Sequence, residues 1–347
     1  MFSRKTRAQV RTIWRWMVNI WRALILGKDH VLPFVNVFHP THHCDANCRG
    51  CSQKERMQDG NHEDSSLEQL RIILLRMFKI SPALYITGGE PTMHKELIAV
   101  LKMADEIGFW PISVNSNGLG NRLPEVLCYA DRTILSLHSV SANGQARLLG
   151  VNPKSVQRIL ENLRTFNRLA LKHGNTLSVN CVLSTLNVHL AEDVLKLCLK
   201  NHIPLAIVPL IMDYSPEISR ASEGYRVGYV SFVNKVIQAK RKAPKLIVNT
   251  FRYLEQIKEL RSFRCRPSCI MTVNPDGTVQ NPCPVKYVYP GELLGSLLEE
   301  DALPILQRTL DFEHSFWGCE FNCCKTCYAE PALSLAHPLS AIRAFVR

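Results

Sequence analysis

The sequence predicts an α/β fold, with helices outside a parallel sheet that is either open or curled into a partial barrel. A small cysteine-rich α+β extension follows it. Three observations predict this. From residue 34 to about residue 240, some six short β-rich runs alternate with longer helical patterns, the rhythm of βα units. The chain has 347 residues, 46% hydrophobic and 21% charged, which suits one large folded domain plus a smaller one. Its thirteen cysteines are unevenly spread: three fall within residues 44–51 and seven within 265–327.

Residues 1–30 read as a basic amphipathic helix. Val10, Ile13, Trp14, Met17, Trp21 and Leu24 recur at three- and four-residue steps, with Arg4, Lys5, Arg7, Arg11, Arg15 and Arg22 largely off that stripe. Such a helix either lies on an anionic membrane surface with its tryptophans at headgroup level or packs on the protein body with its arginines in water. The core, 31–245, takes strands at 34–38, 83–87, 112–115, 133–137, 178–183 and 205–210. Its helices fall at 66–78, 95–106, 124–129, 155–173, 190–200 and 225–241. Residues near 242–262 form a connector with a further strand and helix. In the region 246–331, Asn274-Pro275-Asp276-Gly277 between two β-like runs predicts a hairpin. Residues 332–347 read as a short amphipathic tail.

No run of 18 apolar residues occurs, so no spanning helix is expected, and no signal-peptide pattern opens the chain. A cytoplasmic location follows as the expectation, peripheral on the inner membrane face if the first helix binds lipid. Thiols are then reduced, and metal binding outranks disulfides. Cys128, Cys181 and Cys198 stand alone in apolar surroundings and read as small buried hydrophobes. The net charge of +12 suits an anionic partner. No nucleic-acid motif accompanies it, so no nucleic-acid partner is expected.

Cys44-Asp45-Ala46-Asn47-Cys48-Arg49-Gly50-Cys51 directly follows the first strand. Three thiolates on one loop can hold an iron–sulfur cube and leave one iron open. Zinc completed by His42 or His43 is the competing reading. Gly88-Gly89-Glu90-Pro91 follows the second strand, where glycines let backbone approach a ligand and a carboxylate complements an ammonium.

The CxxxCxxC loop followed by GGEP at the next strand end resembles the signature of the radical S-adenosylmethionine (SAM) superfamily. The resemblance implies a partial (β/α)6 barrel of radical SAM type. It implies a [4Fe–4S] cluster on Cys44, Cys48 and Cys51, and SAM bound through Gly88, Gly89, Glu90 and Pro91, with Glu90 receiving the methionine amino group. Asn115 and Ser116, in Asn115-Ser116-Asn117-Gly118, match a segment near the SAM ribose. Arg147, after Ser136-Leu137-His138-Ser139, matches an arginine reaching the SAM carboxylate. Val182 lies where relatives present backbone to adenine. Gly50 departs from the commoner aromatic residue, so packing around the cluster should differ.

Cys265, Cys269, Asp276-Gly277 and Cys283 look like the opening of an auxiliary-cluster region of SPASM type, or of its shorter twitch form. The resemblance implies one auxiliary [4Fe–4S] cluster, with Cys283, Cys324 and Cys327 as ligands and Cys265 or Cys269 in the fourth place. Cys319 and Cys323 are spare or hold a second metal. A structural zinc knuckle is the alternative. The implied function is reductive cleavage of SAM to a 5′-deoxyadenosyl radical that abstracts hydrogen, with electrons from a low-potential donor such as flavodoxin or ferredoxin. The substrate is unidentified; a membrane-held one is one expectation, and Asp213 and Tyr214 are candidates to face it. Maturation of a ribosomally made peptide is an alternative, although with 33 residues before the first strand an N-terminal leader-recognition domain is not expected. A non-catalytic iron–sulfur or zinc scaffold is the other.

Overall fold

The structure is a computed structural model that describes residues 3–26, 31–51, 53–54, 64–212, 215–280, 293–315 and 323–336. The expected alternation is present. In chain order the elements are α1 (Arg4–Ile25), β1 (Val35–Phe38), α2 (Leu67–Ile80), β2 (Leu84–Ile86), α3 (Leu97–Ile107), β3 (Ile112–Ser116), α4 (Leu123–Tyr129) and β4 (Arg132–Ser136). Then follow α5 (Ala142–Leu149), α6 (Pro153–Lys172), β5 (Thr176–Leu183), α7 (Ala191–Lys200), β6 (Leu205–Pro209), a small ribbon of β7 (Ile211–Met212) with β8 (Ser215–Pro216), α8 (Glu223–Lys242) and α9 (Phe251–Glu259). The chain closes with β9 (Ile270–Val273), β10 (Thr278–Gln280), β11 (Leu293–Ser296), α10 (Ala302–Ser315) and α11 (Thr326–Ala336).

Local chemistry sets the helix ends. Ser66 and Gln69 close a reciprocal capping box at the start of α2. Asn152 caps α6, with Pro153 in its first turn. Two helices, α5 and α10, were not anticipated. The Asn143-Gly144 pair inside α5 lowers its helical pattern, and α5 forms because Ser141 caps it and Ala146 and Leu149 bury.

The sheet order is β11-β10-β9-β1-β2-β3-β4-β5-β6. Strands β1 to β6 run parallel, and β9 adds to β1 in parallel as well, pairing Val35 with Ile270 and Phe38 with Val273. The expected hairpin exists as antiparallel β9–β10, and β11 extends it. The cysteine-rich extension therefore continues the main sheet at its β1 edge. Helix α11 runs across the predicted boundary at 331/332, and residues 337–347 of the expected tail lie outside the described residues.

One face of the sheet is packed by helices. Leu177, Val179, Cys181 and Leu183 of β5 are fully buried there, while the alternate residues are half-buried on the other face. That inner face carries Ser178, Asn180 and Val182 on β5, so it is partly polar and partly open. Cys181 and Cys198 sit in the apolar core as expected, and burial raises both thiols.

Helix α1 crosses the amino ends of the strands. Lys5 pairs with Asp131, just before β4, at 2.9 Å. Thr12 donates to the carbonyl of Trp110, just before β3, at 2.8 Å. Arg15 donates to the carbonyls of Phe78, Lys79 and Ile80, capping the end of α2. Trp16 Nε1 donates to Phe34, just before β1, and Ala23 packs beside Cys269 at the foot of β9. The faces are thus reversed from the usual arrangement: the residues buried against the body are Ala8, Thr12, Asn19 and Ala23. The apolar stripe faces out, with Trp14 62% and Trp21 61% exposed.

Candidate active site

The loop after β1 carries Cys44, Cys48 and Cys51, all half-buried, at the carboxyl end of the parallel sheet. In such folds ligands bind at that end. Four neighbouring strand ends clamp the loop. From β2, Gly89 N donates to Thr41 O at 3.0 Å and Glu90 N to His43 O at 2.8 Å. From β3, Asn117 Nδ2 donates to Asp45 at 2.6 Å. Beyond β4, Asn47 N donates to Leu149 O at the end of α5, at 2.8 Å. From β6, Leu210 fills the space beside Gly50 that a side chain there would need.

Gly50 was expected to alter the packing, and Leu210 is the residue that takes up the room. Gly89 is required for a different reason, since a Cβ would collide with the carbonyl of His43. The first strand-end loop thus lies directly on the second.

Glu90 is 2% exposed. Its carboxylate accepts from Thr92 N at 3.1 Å, Thr92 Oγ1 at 2.6 Å, Ser116 Oγ at 2.8 Å and Asn117 N at 2.8 Å. Burial pushes it above the usual carboxylate range, and these four bonds favour the charged form. Glu90 therefore ties the β2 and β3 ends together, with its carboxylate already held by the protein. It also acts electrostatically on Cys44. Pro91 starts the short 3₁₀ turn that Glu90 caps.

Ser116 is fully buried and bonded to Glu90. Asn115 Oδ1 is buried with no partner among the described residues, a vacant acceptor at the strand end. Val182 N donates to His138 Nδ1 at 3.1 Å, and Val182 O accepts from Asn187 at 2.8 Å. His138 is buried, and desolvation pushes it down to about 4, so it is neutral with its proton on Nε2. Arg147 is exposed on α5, the helix whose end touches the cysteine loop.

Burial pushes Cys44 up to about 11 and Cys48 up to about 12, and the neighbouring Cys51 adds to both. Among the described residues no three of Cys, His, Asp and Glu converge on one ion, which is what tetrahedral zinc needs. Ligands of a cube each take a different iron and stand farther apart. Three half-buried thiols on one loop, each able to take a different iron, fit the cube. Loading releases their protons.

The tail cysteines divide. Cys265 packs with Val37, Tyr85 and Tyr328. Cys327 lies within electrostatic reach of both Tyr85 and Cys323. Cys269 packs instead with Ala23, Val31 and Leu335 under α1. Cys324, expected beside Cys327 as a ligand, faces the outer core near Tyr229 and Tyr253; its backbone is left-handed, at φ 36°. In this structure Cys323 rather than Cys324 neighbours Cys327. Cys283, Cys319, Asp213 and Tyr214 lie outside the described residues. The roles of Asp45, Asn117, Leu210 and Tyr85 were missed. Asp45 inside the cysteine loop was the one available signal.

Residues 38–198 match the Radical SAM superfamily. That match spans a little under half of the chain and supports a radical SAM enzyme. The match supports SAM and a [4Fe–4S] cluster as cofactors, and the site above suits them. Curated relatives include a probable GTP 3′,8-cyclase of Saccharolobus solfataricus, 27% identical over 36% of this chain and 41% of that protein. Another, of Sulfurisphaera tokodaii, is 25% identical over 47% of this chain and 51% of that one. The chain thus spans about two fifths to half the length of these relatives. Among solved structures, Streptococcus suis SuiB bound to S-adenosylmethionine superposes with a TM-score of 0.59 at 18% identity, over 81% of this chain and 65% of that one. Native anSMEcpe with bound AdoMet gives 0.59 at 14%, over 89% and 99%. Both likenesses confirm the radical SAM partial-barrel fold, well beyond residue 198.

Proposed function

We propose that this protein cleaves SAM reductively and removes hydrogen from an unactivated C–H of its substrate. The observation that carries the reading is the cysteine loop held by four strand ends directly against Gly88-Gly89-Glu90. When bound, the cluster and SAM supply the electron and the 5′-deoxyadenosyl radical. The chain's own residues bind and orient. Cys44, Cys48 and Cys51 would hold the cluster. Gly88 and Gly89 keep the β2 end low enough for a ligand to sit above it. Asn115 Oδ1 is free to accept from a ribose hydroxyl, and Arg147 suits a carboxylate.

Cys265, Cys323 and Cys327, with Cys283 and Cys319 in reserve, support one auxiliary cluster on the inner side of the sheet. A low-potential donor such as flavodoxin or ferredoxin supplies electrons. Helix α1 holds the enzyme peripherally on an anionic membrane; no described helix is long and apolar enough to cross one. The substrate classes to test first are a precursor peptide, as in SuiB bound to precursor peptide SuiA, and a nucleotide, as in the probable GTP 3′,8-cyclases.

Anaerobic reconstitution followed by an assay for 5′-deoxyadenosine from SAM and dithionite tests the reading. The native chain is expected to yield it, and the Cys44→Ala/Cys48→Ala/Cys51→Ala protein to yield none. Equal yield from both sinks the proposal. Iron near four per chain indicates the first cluster alone, and about eight indicates an auxiliary one too.

A further inference from the structure

We infer that α1 seats the enzyme base-down on an anionic bilayer, so that the cysteine loop opens away from the lipid and the substrate arrives from the water side. The inference rests on the peripheral reading of α1 above and adds to it an orientation and a substrate class. Its starting point is the reversed helix. A typical surface helix buries its apolar stripe. Here Thr12, Arg15, Trp16 and Asn19 spend their polar groups on backbone groups at strand and helix ends. Val10, Ile13, Trp14, Met17, Trp21 and Leu24 are all left exposed.

Charge selects the occupant. The helix carries Arg4, Lys5, Arg7, Arg11, Arg15 and Arg22 and no acid. Arg4 and Lys5 are paired with Asp105 and Asp131 and Arg15 caps α2, so the exposed cations beside the stripe are Arg7 and Arg11, and a second copy packed helix to helix would set these against their own kind, on a chain of net charge +12. A sheet of anionic headgroups complements them, and Trp14 and Trp21 suit the headgroup boundary. The same basal side gathers the C-terminal ends of the outer helices. There Tyr129 and Leu171 are exposed, with Lys102 over the Tyr129 ring and Lys172 at the end of α6, and the acids Asp105, paired with Arg4, and Glu106 are exposed at the end of α3. Lipid contact thus extends past α1 itself.

The orientation follows from topology. Helix α1 covers the amino ends of β4, β3, β2, β1 and β9, whereas Cys44, Cys48 and Cys51 follow the carboxyl end of β1. The eight residues of β5 span roughly 25 Å between those ends. A headgroup in the supporting bilayer cannot reach across that distance. The substrate is therefore a water-borne molecule or a chain free of the membrane, not a lipid drawn from the surface beneath.

The full chain is mixed with vesicles of phosphatidylcholine alone, or of phosphatidylcholine and phosphatidylglycerol in equal parts. Binding is expected only to the anionic vesicles, and the Trp14→Glu/Trp21→Glu variant is expected to lose at least about tenfold in affinity while keeping its SAM cleavage. A fluorescent amino acid then replaces either Lys95 or Glu106, exposed residues flanking opposite ends of α3, and energy transfer to a headgroup-labelled lipid is read. Transfer from position 106 should exceed transfer from position 95. Equal or reversed transfer overturns the orientation while leaving docking intact. Absence of anionic binding overturns docking as well, and neither result touches the cleavage assay. A lipid-free dimer that the double variant abolishes assigns the face to a second copy and defeats the proposal.

Discussion

Helices α1 and α6 are similar in length and similarly amphipathic, yet they meet the protein with opposite faces. Helix α6 buries Val156, Ile159, Leu163, Phe166 and Ala170 and turns its charges outward. Helix α1 buries Ala8, Thr12, Asn19 and Ala23 and turns its tryptophans outward. The difference lies in what each rests on. Helix α6 lies along the flank of the sheet, where strands offer leucine and valine side chains. Helix α1 lies across strand and helix ends, where backbone carbonyls and amides need partners. A sequence pattern shows that a helix has two faces; the polarity of the seat decides which one is inside.

The comparison can be broken at either helix. The largest effect belongs to α6: Leu163→Ala is expected to cost about 2–5 kcal/mol in denaturant unfolding, because it empties a fully packed site. A loss below about 1 kcal/mol would show that α6 is not seated as described. Next comes a buried polar group seated by the sheet itself. His138 is held down to about 4 in the native state against 6.5 when unfolded. Between those values the unfolded chain takes up a proton that the native chain does not. Stability therefore falls as pH drops from about 6.5 to about 4, by up to about 3 kcal/mol, and levels off below. Unfolding curves of His138→Gln across that range should lack this slope.

A smaller loss is expected in α1. Asn19 bonds both the N–H and the C=O of Leu32, at 2.9 and 2.6 Å. Asn19→Leu adds apolar surface to an already apolar helix, yet it should destabilise by about 2 kcal/mol by stranding those groups. Neutral or improved stability would mean that the polar face does not dock. Smallest of all, Trp14→Ala should shift stability in solution by less than about 0.5 kcal/mol, as an exposed position does.

Much of the core was legible because period and punctuation agree there. Six strands separated by capped helices left little choice of architecture, and the Pro-Asp-Gly turn placed the β9–β10 hairpin. The cysteine loop and the GGEP segment were legible because they are local. What escaped was non-local. Nothing near residue 50 announces Leu210, and nothing in Glu90 predicts that Ser116 and Asn117 would hold its carboxylate. Adjacent residues Cys323 and Cys324 are indistinguishable by type, and only the left-handed backbone at Cys324 separates them. The two readings of α1 could not be separated by amphipathicity, since a helix docked through its polar face leaves its apolar stripe exposed.

The pairing of β9 with β1 has a consequence for synthesis. Val35 waits for Ile270, which lies in the last quarter of the chain. Until that segment leaves the ribosome, one side of β1 offers open amides and carbonyls, for on the order of ten seconds or more at ordinary elongation rates. A bare strand edge of this kind invites pairing with other nascent chains. Any product stopped before residue 270 would keep that edge for good, so truncated forms should be the ones that clump.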